Sequence, residues 1–87
     1  MIGAQVTGAA YPVPRNYLRH RLDIAHAYVQ MRRYAEAVGV LAQVRSAAPE
    51  WVIRQRYARD TLSAVIAHSR RLTGEARDLA DFMQLPL

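Results

Sequence analysis

Proline placement constrains this chain more than any other feature. Prolines stand at positions 12, 14, 49 and 86. Proline lacks a backbone N–H and disfavours helix in the residue before it. Helix interiors are therefore confined to 15–48 and 50–85, where apolar residues recur every three to four positions. Fifteen of the 87 residues are alanine and only four are glycine. That mix favours helix over sheet and compact folding over disorder. Cysteine is absent, which excludes disulfides, thiolate metal sites and cysteine nucleophiles. The expected fold is all-α, an antiparallel array of about four helices. A single domain is expected over 15–87. Residues 1–14 are expected as a flexible tail, because Tyr11-Pro12-Val13-Pro14 reads as extended.

The first helix is expected from Arg15 to Arg32. Tyr17, Leu18, Leu22, Ile24, Ala25, Tyr28, Val29 and Met31 cover about half its circumference, with Arg21 inside the arc. The second, Tyr34 to Ala48, keeps only Glu36, Gly39, Gln43 and Ser46 on a narrow polar strip, so it should be the most buried. Too little chain separates the two for anything but a hairpin. Pro49 ends the second helix and suits the first turn of a third, Glu50 to Leu72. Tyr57, Ala58, Thr61, Leu62, Ala64, Val65, His68 and Leu72 should form its inward face, with His68 as a core histidine. Thr73 can cap a fourth helix, Glu75 to Gln84, anchored by Leu79, Phe82 and Met83. Tyr28, Leu41, Leu62 and Val65 are expected at the centre of the core.

The net charge is +5, and all twelve basic residues are arginine. Five pairs of an acid with an arginine four residues away stand out: Arg19/Asp23, Glu50/Arg54, Arg56/Asp60, Arg71/Glu75 and Arg77/Asp81. Each such helical pair contributes about 0.2–0.5 kcal/mol. No apolar run approaches the roughly 18 residues of a membrane span. Met1–Pro14 lacks the basic and apolar regions of a signal peptide, so the expected compartment is the cytoplasm.

The stretch Leu22–Glu50 resembles a tetratricopeptide repeat. Ala25 and Tyr28 match its first helix, Tyr34, Ala37 and Leu41 its second, and Pro49 its end. Arg21 stands where an opening tryptophan or leucine is usual, and Arg32 replaces the turn glycine. A broader resemblance covers Leu18–Leu85. This span is similar to the C-terminal region of actinobacterial lambda-repressor-like helix-turn-helix regulators. Leu22-Asp23, Ala25, Ala27-Tyr28, Glu36-Ala37-Val38, Ala48-Pro49-Glu50, Arg70-Arg71 and Leu79-Ala80 carry it. The resemblance implies a non-catalytic sensory or oligomerising module of a regulator, with DNA contacted only through a separate domain. The tetratricopeptide resemblance implies a partner or peptide surface on the polar side of the first helix, at Arg19, Asp23, His26 and Gln30 with Arg33.

Other residues carry competing readings. Arg56, Arg59, Ser63 and Arg70 share one side of the third helix. They suit either phosphates or an acidic partner, or an ordinary solvated face. A small basic nucleic-acid-binding protein is thus the alternative function. A helix-turn-helix formed by the third and fourth helices is disfavoured, because Glu75, Asp78 and Asp81 would meet phosphate. His20, Asp23 and His26 cluster without a further ligand, so no metal is expected, and no cofactor motif is present. Finally, the first helix carries more apolar surface than one neighbour covers. Tyr17, Leu18, Arg21 and Ile24 are therefore expected at a self-association interface, most simply a homodimer.

Overall fold

The computed structural model describes residues 14–69 and 71–86. Expectations for residues 1–13, Arg70 and Leu87 lie outside them. The described chain is an all-α array of five helices: α1 Arg15–Gln30, α2 Tyr34–Ala47, α3 Pro49–Val52, α4 Arg56–His68 and α5 Gly74–Phe82. Among the described residues, no helix is long and apolar enough to cross a membrane.

Helix α2 packs against each of the other four and is the hub of the core. Ala37, Val38, Val40, Leu41 and Val44 are buried over an arc of about 160°, while Ala35, Gln43, Ser46 and Ala47 are exposed, so the open strip is wider than expected. Helix α1 covers it on one side through Leu18, Leu22 and Ala25, and α4 and α5 pack elsewhere through Leu62, Val65, Leu79 and Met83. Leu41, Leu62 and Val65 are buried as expected, whereas Tyr28 is only half-buried, packed against the core rather than at its centre.

The third helix is the main correction. A break at Ile53–Gln55 divides it into the single turn α3 and the longer α4. Val52 and Ala58 are both fully buried. On one continuous helix Val52 would point about 130° away from the centre of the face carrying Ala58, Thr61, Leu62 and Val65. The break lets both ends reach the core. It is closed locally: the Gln55 N–H donates to the Val52 carbonyl (3.0 Å) and its side chain to the Trp51 carbonyl (3.1 Å). Helix α4 also ends at His68 rather than Leu72, with Ser69 extended.

Two helix ends share an unexpected chemistry. At the end of α1, Arg32 N–H donates to the Val29 carbonyl (2.9 Å) and Arg33 N–H to the Tyr28 carbonyl (2.8 Å). At the end of α5, Gln84 N–H donates to Asp81 (3.1 Å) and Leu85 N–H to Ala80 (2.8 Å). These are paired Schellman bonds, which need a left-handed residue after the helix. Arg32 (φ 62°) and Gln84 (φ 59°) fill those positions, where glycine would be at ease. The start of α5 follows expectation: the Thr73 hydroxyl accepts the Ala76 N–H at 3.1 Å.

Candidate interaction surface

The polar face of α1 carries Arg19, Asp23, His26 and Gln30. It does not stand free along its length. Tyr57, expected in the core, is 39% exposed and lies across this face from α4. Its ring is 5.4 Å from that of His26, with the planes inclined at 44°. Gln30 Nε2 approaches His26 Nε2 at 3.1 Å. Partial burial, together with hydrogen bonding to Asp23 and its charge, holds the Tyr57 phenol above the usual tyrosine range. Asp23 and His26 therefore serve the α1–α4 contact, while Arg19 remains exposed. Arg33 is taken up locally: it pairs with Glu36 at 2.6 Å and lies 5.6 Å over the Tyr28 ring. No cluster of three or more histidine, aspartate or glutamate side chains is disposed to hold a metal among the described residues.

The apolar flank of α1 divides differently from expectation. Leu18 is only 2% exposed, a correction to its placement at an open interface. It sits on the line of Leu22 and Ala25, and the α1–α2 hairpin extends far enough for Val44 and Ala47 to flank it. Tyr17 is 53% exposed, and Ile24 and Arg21 are half-buried. Arg21 donates to the Gln43 side chain of α2, across a shallow hollow between the two helices. The sequence reading missed the continuation of this flank through Tyr28 and Met31. Met31, at 56%, is the most exposed large apolar side chain among the described residues. A detectable signal was present: positions 17, 21, 24, 28 and 31 alternate in steps of four and three, the interval of a helix–helix seam.

The arginine stripe does not act as a set. Arg56 is exposed and loosely paired with Asp60 at 3.7 Å. Arg59 reaches across to α5 and donates to the Met83 carbonyl at 2.7 Å. Arg70 lies outside the described residues. His68, expected as a core histidine, is exposed; its ring stacks near Tyr34 (6.3 Å, 14°), and Nδ1 lies 2.8 Å from the Ala64 carbonyl. Of the five expected pairs, only Arg56/Asp60 forms among the described residues. Exposed pairs contribute little, so solvation of the others costs the fold little.

No protein-family model, curated protein or solved structure matches the chain.

Proposed function

We propose that this chain is a non-catalytic helical interaction module, the sensory or dimerising C-terminal part of a transcriptional regulator. One relationship supports this most. Tyr17 and Met31, two of the three exposed large apolar side chains among the described residues, stand on one line of α1 with half-buried Ile24 and Tyr28 between them. In water, apolar side chains aligned in this way, interrupted only by Arg21, tend to be covered by another surface. The regulator context rests on the resemblance of Leu18–Leu85, and the tetratricopeptide-like character on the α1–α2 hairpin closed by Pro49. DNA would be reached through a separate domain, in the cytoplasm.

Sedimentation equilibrium across the micromolar range tests the reading. The unmodified chain is expected to gain mass with concentration, and a Tyr17→Glu/Met31→Glu chain to remain monomeric. The alternative reading, direct nucleic-acid binding, is weakened by the engagement of Arg59 with the Met83 carbonyl. Titration of a labelled DNA duplex separates the two. Binding that fades steeply as salt rises would replace the module reading.

A further inference from the structure

The seam on α1 is a second apolar line on a helix whose first line is already used. Leu18, Leu22 and Ala25 are buried in the core. Tyr17, Arg21, Ile24, Tyr28 and Met31 run beside them in four-three-four-three spacing and face outward to differing degrees. We propose that a second copy of this chain occupies the seam, its α1 running antiparallel about a two-fold axis at Ile24. The inference rests on the reading of the chain as an interaction module and names the occupant.

Two features select this arrangement. The first is symmetry. Tyr17 lies seven residues before Ile24 and Met31 seven after it. An antiparallel pair centred on Ile24 sets each Tyr17 against the partner's Met31, an aromatic ring against a thioether, which attract. Both exposed ends of the seam are then covered together. The second is charge. Arg21 is the one charged side chain on the seam, held toward α2 by Gln43. Antiparallel pairing about Ile24 offsets Arg21 by six residues from its own copy, about 9 Å along the helix, and leaves its bond to Gln43 in place. Parallel pairing would instead set Arg21 against its own copy, and like charges oppose that.

The area bounds the strength. Side chains of this size contribute roughly 150–250 Å² each when fully buried. The exposed remainder of the seam then amounts to about 400 Å² per copy, or about 800 Å² for the pair. Standard stable interfaces bury about 1,200 Å² or more. The dimer is accordingly reversible, and the concentration series, not the area, reads its strength.

Cysteine cross-linking tests the geometry, because the chain has no cysteine of its own. A disulfide needs Cβ atoms about 3.5–4.5 Å apart. Ile24→Cys is expected to cross-link to itself under mild oxidation, and Tyr17→Cys mixed with Met31→Cys to form the heterodimer. Neither of the latter should cross-link alone, since antiparallel pairing holds identical end positions about 21 Å apart. Tyr17 and Met31 are more than half exposed, so both substitutions leave the core intact, and circular dichroism checks this. Ile24→Glu should weaken association more than about tenfold by placing two carboxylates on the axis. Self-linking of Tyr17→Cys without the mixed product would make the pair parallel and overturn the inference. A dimer by sedimentation with no α1 cross-link would also overturn it, while leaving the module reading intact. A chain that stays monomeric throughout the micromolar range would overturn both the inference and the self-association behind the proposed function.

Discussion

The ring of His26 on α1 lies 5.4 Å from the ring of Tyr57 on α4. With Asp23 beside the same tyrosine, this contact turns the middle of the polar face of α1 into an intramolecular interface. The opposite flank of α1 carries the exposed Tyr17 and Met31.

Tyr57 makes the contact sensitive to alkali. Partial burial and Asp23 raise its phenolic pKa, so the folded chain holds that proton more tightly than the unfolded chain. The stability gained is present below the ordinary tyrosine pKa, about 10, and is lost as pH rises through the folded value. Urea unfolding midpoints should fall in the alkaline range, and Tyr57→Phe should flatten part of that fall. Parallel pH curves for the two chains would show that neither burial nor Asp23 raises the phenol.

Leu41 is fully buried on the hub helix. Leu41→Ala is expected to cost about 2–5 kcal/mol, since the cavity adds to the lost apolar burial. That is a large share of the stability of so small a domain. Chemical denaturation followed by the fluorescence of Trp51, the single tryptophan, measures it. A near-unchanged midpoint would remove Leu41 from the core.

Arg56 and Arg59 should separate cleanly. Arg59→Ala removes a charge-assisted bond to the Met83 carbonyl at the end of α5 and is expected to cost about 1.5–3 kcal/mol. Arg56→Gln removes only a long, exposed pair and should stay within about 0.5 kcal/mol of the parent. Equal effects in thermal unfolding would mean that the two share one environment.

The left-handed positions offer a gain. Arg32→Gly and Gln84→Gly each relieve a side chain held at positive φ and should stabilise by about 0.5–1 kcal/mol. Arg32 carries no ion pair among the described residues. A lower melting temperature for Arg32→Gly would show that the arginine side chain contributes a contact outweighing the backbone strain.

Sequence alone determined where helices can form. Period, proline and the Thr73 cap act within a few residues, so α1, α2 and α5 begin and end within two residues of expectation. The burial of Leu41, Leu62 and Val65 followed from the same periodicity. Tertiary structure decided how each apolar arc was shared among neighbours. Periodicity measures the width of an arc but does not say which helix covers which part of it. Leu18 was therefore drawn in beside Val44 and Ala47 while its neighbour Tyr17 was left out. Val52 could reach the core only by breaking the helix expected to run through it. Arg59 found its acceptor twenty-four residues along the chain, a contact no local pattern encodes. Tyr57 sits where two helices meet, and only their packing chose the polar face of α1 over the core for its ring.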